Sequence, residues 1–402
     1  GQENFAGTVP FPVISDSDKG AADVEDSQET ETDVVALTVN WDLSFATLTS
    51  ISAYSAYDLE RVQNSDIAAT PSLNRSLFEE YEQLSQEIRL VSPGGDTIDW
   101  IVGGYYQDGD LDIGRLNNDL DFALSGPLGS PALFATVPVT TPTIFDQQTE
   151  SWSLFIHGTW NISSRFRVAG GLRYDDETKE LDKQTFAQGL GARAGTSGPA
   201  ADVIVLAIPN TRALIEDLRS HNFRGLKREE DEVTWSANVQ WDATDSAMVY
   251  ASVSTGFKGG GYDEAYSGAG TEIRLGNVLT GEPTGEVIPG VNASVLEYED
   301  ESVLAYEIGA KMSLLGGAGE LNLAFFRMEY DDLQVSSLVG DVFKVGNAGE
   351  AVNQGFEADG RFLLGEGLIL GGSIAYLDAE YDEFPTATCT IPQESDPVNN
   401  PG

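Results

Sequence analysis

The sequence predicts an all-β protein: an antiparallel transmembrane β-barrel fragment of about twelve strands, with short periplasmic turns and long extracellular loops. Apolar and polar residues alternate over long runs, tight reversals join these runs in pairs, and much longer connections separate the pairs. Strict alternation places one face of a strand on an apolar medium and the other on a polar one. A soluble sandwich has no reason to segregate short and long connections so regularly, whereas an outer-membrane barrel does.

The alternation is clearest where Trp235, Ala237, Val239 and Trp241 interleave with Thr234, Ser236, Asn238 and Gln240. It recurs where Tyr306, Ile308, Ala310, Met312 and Leu314 interleave with Glu307, Gly309, Lys311 and Ser313. No helical period fits either run. Strands are expected over 34–42, 45–59, 79–92, 97–110, 147–161, 165–180, 230–241, 246–258, 302–315, 320–331, 350–363 and 368–382. In the run 320–331 the apolar face Leu321, Leu323, Phe325 meets Arg327, which suggests a bulge or a shifted register.

Reversals rich in turn-forming residues fall at Asp42–Ser44, Pro93–Asp96, Ile162–Ser164, Asp242–Asp245, Gly316–Gly319 and Gly365–Gly367. Long connections fall at 60–78, 111–146, 181–229, 261–297 and 332–349, the third with a short helix over 211–219. The chain is read as one partial barrel domain over 1–402: an extracellular loop over 1–33, strands over 34–384, and the start of another loop over 385–402. Trp41, Trp160 and Trp241, each just before a short reversal, are expected to form one interfacial girdle. Tyr105, Tyr106, Tyr174 and Phe257 are expected to form the other.

Composition narrows function. The 65 acidic residues against 22 basic ones give a formal charge of −43, which argues against nucleic acid as a partner. The 43 glycines and 14 tyrosines suit strands and turns, and no apolar run is long enough for a membrane-spanning helix.

Catalytic signatures are missing, so no catalytic, cofactor-binding or metal residue is assigned and no cofactor is expected. His157 lies on a polar strand face with Ser151, Ser153 and Thr159, and His221 is placed in a long loop without partners. Thr255-Gly256-Phe257-Lys258-Gly259-Gly260-Gly261 superficially resembles a phosphate loop, but its lysine precedes the glycines. A strand running into a flexible loop fits it better. Carboxylates are dense over Asp23–Asp33 and at Asp108, Asp110 and Asp112, where the oxygen-rich spacing could hold calcium.

Several segments together resemble the TonB-dependent receptor family, particularly its iron-complex-receptor-like branch. They are Ser85-Gln86-Glu87-Ile88-Arg89-Leu90 with Trp100-Ile101-Val102-Gly103-Gly104-Tyr105-Tyr106, Gly170-Gly171-Leu172-Arg173-Tyr174, and Tyr250-Ala251-Ser252-Val253-Ser254-Thr255-Gly256-Phe257-Lys258-Gly259-Gly260. Tyr306-Glu307-Ile308-Gly309-Ala310-Lys311, Asn347-Ala348-Gly349 and Gly355-Phe356-Glu357 follow in the family's order.

The resemblance implies an outer-membrane receptor of a Gram-negative-type bacterium that takes up a scarce ligand, first of all a ferric siderophore. It implies outer-membrane lipid as a partner, and the TonB complex acting through a plug. The chain reads as a piece without that plug, the TonB box, or the first and closing strands, so its sheet is expected to show two unpaired edges. A passive porin and a secreted all-β binding protein share parts of the pattern. Arg165, Arg167, Arg173, Glu307, Lys311, Glu357, Asp359 and Arg361 are expected to face the lumen, to solvate it or to touch plug or ligand. Similar receptors often carry a second cysteine beyond the position of Cys389, which implies a disulfide in that loop.

Overall fold

The computed structural model describes residues 25–64, 73–95, 97–121, 137–185, 221–266, 272–276, 283–289, 293–339 and 342–384. Cys389 and the helix expected over 211–219 lie outside them. The strands are β1 (Ser27–Asp42), β2 (Thr47–Asn64), β3 (Leu73–Val91), β4 (Ile98–Asp121), β5 (Val137–Ser163), β6 (Phe166–Thr185), β7 (His221–Thr244), β8 (Ala247–Lys258) and β9 (Gly261–Tyr262). There follow β10 (Glu272–Gly276), β11 (Pro283–Pro289), β12 (Glu297–Tyr298), β13 (Glu301–Leu314), β14 (Gly319–Asp331), β15 (Gln334–Val339), β16 (Val342–Asn347), β17 (Ala351–Leu363) and β18 (Ile369–Tyr381).

Twelve of these form one antiparallel sheet in the order β1 to β8, β13, β14, β17, β18. All six expected reversals close hairpins of this sheet, and up-and-down order puts them on one rim. In the turn from β3 to β4, Gly94 and Gly95 take φ of 84° and 83°, a region closed to most L-residues. β1 and β18 are the sheet's two edges, and every residue of both is exposed.

Register fixes the faces, because directly paired residues point the same way. Ile156 pairs with Leu172 and Leu172 with Trp235, while Ala251 pairs with Ile308 and Ile308 with Phe325. Leu154, Ile156, Leu172 and Ile308 are each more than half exposed (59%, 54%, 56% and 54%), so this belt is apolar without being a core. Trp41, Trp160 and Trp241 stand on it beside the reversal rim, exposed as an interfacial girdle requires. Tyr54, Tyr106, Tyr174, Tyr306 and Tyr376 stand on the same face, farther from that rim. Tyr105 departs from expectation. It pairs with Glu87 on the polar face and donates its hydroxyl to Gln107 at 3.0 Å.

Just past the aromatic residues the apolar face becomes acidic, at Asp58, Glu82, Asp108, Glu150, Asp176 and Asp231. The same change explains Arg327. The register of β14 against β13 and β17 runs without a shift, so neither a bulge nor a misread register exists there. Arg327 follows Phe325 on the belt face and donates to Glu329 at 2.7 Å and to Gln354 at 2.9 Å.

Several expected loops are in fact strand. Residues 60–64, 73–78, 111–121, 137–146, 181–185 and 221–229 extend the sheet far past the belt, and β1 starts at Ser27. Beyond the belt the belt-side face carries acids instead of apolar residues, so the contrast that marks a strand in sequence fades while backbone pairing continues. Within the other long connections, β9 pairs with β12, β10 with β11, and β15 with β16.

Candidate functional site

The face opposite the belt is polar. Arg167 and Arg173 on β6, Glu307 and Lys311 on β13, and Glu357, Asp359 and Arg361 on β17 all stand on it. They do not converge. Arg167 makes two bonds to Asp242 at 2.9 and 3.0 Å, Glu307 accepts the Tyr250 hydroxyl at 2.6 Å, Asp359 accepts from Asn322 at 3.0 Å, and Arg361 reaches Glu320 at 3.3 Å. Arg165 belongs to no strand. It sits in the turn after β5, paired with Asp245 at 2.5 Å, and borders an open groove of about 770 Å³ with Lys311 and Glu320.

On the polar face of β3, β6 and β7, cations pair with carboxylates two residues away on their own strand. Arg89 meets Glu87 at 2.8 Å, Arg173 meets Asp175 at 2.8 Å, Lys179 meets Glu177 at 2.5 Å, and Arg228 meets Glu230. Period-two geometry sets this spacing, since residues i and i+2 share a face.

Near the loop rim the polar face is covered by chain folded back over it, which sequence reasoning missed. Residues 259–266 and 293–299 lie against β4 to β7, where Ile113, Phe145, Leu181, Phe223, Tyr262, Tyr266 and Leu296 form a buried cluster. The glycine run is not a flexible loop. A Cβ on Gly260 would come within 2.5 Å of the Tyr298 carbonyl oxygen and 2.6 Å of Arg228 Nη2. The Gly260 N–H donates to both Glu230 oxygens at 3.1 and 3.0 Å, and Lys179 donates to the Gly260 carbonyl at 2.7 Å. His221 is likewise buried at the start of β7, its ring 5.2 Å from Phe223 and 5.5 Å from Tyr266.

Charge holds this cover in place. Lys183, 1% exposed, donates to the carbonyls of Asp263 and Glu264, both at 2.8 Å, and Glu264 pairs with Arg115. The buried Asp263 carboxylate accepts the N–H groups of Ala265 at 2.9 Å and Val345 at 3.1 Å. From the far side, Asn347 donates to the carbonyls of Glu299 at 3.0 Å and Asp332 at 2.6 Å, while Gln334 reaches Gly259 at 3.0 Å. The Asn347-Ala348-Gly349 stretch is thus a fastening for the cover. Acidic and aromatic side chains in Tyr262-Asp263-Glu264-Ala265-Tyr266 were the available signal.

Lys183 lies well beyond the apolar belt, nine residues past Tyr174 on β6. Burial pushes its ammonium down to about 8, against the opposing pull of Asp263 and Glu264. Burial also raises the Asp263 and Glu264 carboxyls. Unfolding would return the lysine to its ordinary value of 10.5, so the unfolded chain binds more protons between about 8 and 10.5. The lysine's contribution to the stability of the cover therefore rises with pH across that window. Nitrogen NMR of labelled lysines is expected to show one titration near pH 8 that disappears in Lys183→Met. If every midpoint lay above 10, the burial argument would fail.

The acidic triplet Asp108, Asp110, Asp112 lies along β4 on the belt side, strung out by strand geometry and unable to wrap one ion. Among the described residues no group of three or more ligating side chains converges.

The TonB dependent receptor-like, beta-barrel family model matches residues 2–400. Among solved structures, the chain is similar to the ferric yersiniabactin uptake receptor FyuA from Yersinia pestis. That match has 17% identity and a TM-score of 0.61, and covers 89% of this chain and 44% of that one. The siderophore receptor PiuA from Acinetobacter baumannii gives 18% identity and a TM-score of 0.58, covering 91% and 49%. The copper transporter OprC gives 12% identity and a TM-score of 0.55, covering 88% and 46%. The chain thus spans less than half the length of these structures, and at such identity they establish the fold. Proteins of this family are receptors and transporters of the Gram-negative outer membrane, not enzymes. By its family match over nearly its whole length, the chain belongs to the TonB-dependent receptor-like β-barrel family.

Proposed function

We propose that this protein imports a ferric siderophore across the outer membrane by TonB-coupled transport, its chain forming part of the receptor's wall. The supporting observation is the two-faced sheet: an exposed apolar belt suited to lipid, backed by a polar face suited to a hydrated lumen. In this reading the lumen-facing set is Arg167, Arg173, Glu307, Lys311, Glu357, Asp359 and Arg361, with Arg165 at the periplasmic rim. The folded-back cover narrows the lumen on the extracellular side.

The reading is tested by radiolabelled ferric siderophore uptake in cells carrying or lacking the complete gene. Loss of uptake in the deletion strain, and equal loss when TonB is removed, is the expected result. Uptake that survives loss of TonB would favour a passive channel. Detergent-free solubility of the complete protein would favour a secreted binding protein.

A further inference from the structure

The polar face of β2 to β4 carries a connected row of uncharged side chains beyond the depth of Tyr54. Tyr57 and Tyr81 are directly paired, their rings 5.4 Å apart at 34°. The Tyr81 hydroxyl donates to Gln83 at 2.9 Å, Gln83 donates to Tyr105 at 3.4 Å, and Tyr105 donates to Gln107 at 3.0 Å. All five side chains remain partly exposed. Gly109 makes room for the row, since a Cβ there would stand 3.0 Å from the Tyr81 hydroxyl. Half-exposed phenol rings with amides between them offer flat apolar surface and neutral hydrogen-bonding groups together.

Surrounding charge restricts what such a row can receive. Arg89, Arg173, Lys179 and Arg228 already have carboxylates two residues away, and Arg115 and Lys183 are engaged by the folded-back cover. Arg61, farther along β2, has no carboxylate partner among the described residues. Glu79 accepts the Tyr57 hydroxyl and stands between Arg61 and the row, so an arriving anion meets a carboxylate there, in a chain of formal charge −43. An uncharged ligand meets no such competition.

We infer that Tyr57, Tyr81, Gln83, Tyr105 and Gln107 form a ligand subsite for an uncharged complex rich in hydroxyl or amide groups. A neutral ferric tris(hydroxamate) fits it, and a trianionic ferric tris(catecholate) does not. This rests on the uptake reading above and assigns it a ligand class.

The test uses the protein from its complete gene in outer-membrane vesicles, with both kinds of ferric complex as probes. The neutral complex is expected to bind at least about tenfold more tightly than the trianionic one, with an affinity that changes little with salt. Tyr105→Ala and Gly109→Val, the second displacing the Tyr81 hydroxyl without removing it, are each expected to weaken neutral-complex binding about tenfold. Heat-modifiable electrophoretic mobility should show both variants folded. Tighter binding of the trianionic complex, or unchanged binding in both folded variants, overturns the inference. If neither ferric complex binds, the siderophore reading fails, and maltohexaose serves as a neutral, iron-free probe. Its binding, lost in both variants, would keep the subsite; its failure to bind, or binding indifferent to them, would remove it.

Discussion

Arginine at Ala237 is expected to cost the folded receptor about 2–4 kcal/mol, while arginine at the next residue, Asn238, costs little. The contrast follows from β7, whose residues alternate exposed and half-buried from Asp231 to Gln240. Ala237 pairs with Gly170 and Val253 near the middle of the apolar belt, so a guanidinium there would sit in hydrocarbon. Asn238 pairs with Ala169 and Ser252 on the polar face, where a long cation has water and carboxylates to meet. Urea unfolding in lipid vesicles measures both. Equal costs at the two positions would mean that the faces are not chemically distinct.

A second large effect is expected at Asp263. Asp263→Ala leaves the N–H groups of Ala265 and Val345 without their acceptor and removes a carboxylate that balances Lys183. A lost partner for a buried donor costs about 1–3 kcal/mol, so the two together exceed what a short folded-back segment is expected to withstand. Residues 259–266 should then lose protection from hydrogen exchange and become cleavable, while the belt strands stay protected. Asp263→Asn, which keeps one carbonyl acceptor, should fall between. Full protection in the alanine variant would show that the hydrophobic cluster around Leu296 holds the cover unaided.

The parts legible in the sequence are those where two media meet. Trp235 to Gln240 and Tyr306 to Leu314 announce both strand and face because each neighbour pair straddles the apolar belt and the polar face. Legibility ends where that contrast ends. Residues 111–121 and 137–146 read as loop because Asp110, Asp112 and Asp146 occupy a face that would otherwise be apolar, yet β4 and β5 pair through all of them. The polar-face residues were legible singly and not as a site. Which cation meets which carboxylate follows from period-two spacing, but the contacts of Lys183 with Asp263 and Glu264 span eighty residues and need the fold. Tyr105 shows the limit within a strand, because in Tyr105-Tyr106 either tyrosine could have been the outer one.

If one sheet face lies on lipid and the other on water, nitroxide labels placed singly along residues 233–241 will report it most directly. Labels are introduced in a background of the complete protein in which every native cysteine, Cys389 included, is replaced by serine, and their collision rates with oxygen and with a nickel chelate are compared in liposomes. Strict alternation is expected, with Val233, Trp235, Ala237, Val239 and Trp241 favouring oxygen and Thr234, Ser236, Asn238 and Gln240 favouring nickel. Uniform accessibility along the strand, or alternation in the opposite phase, would contradict it.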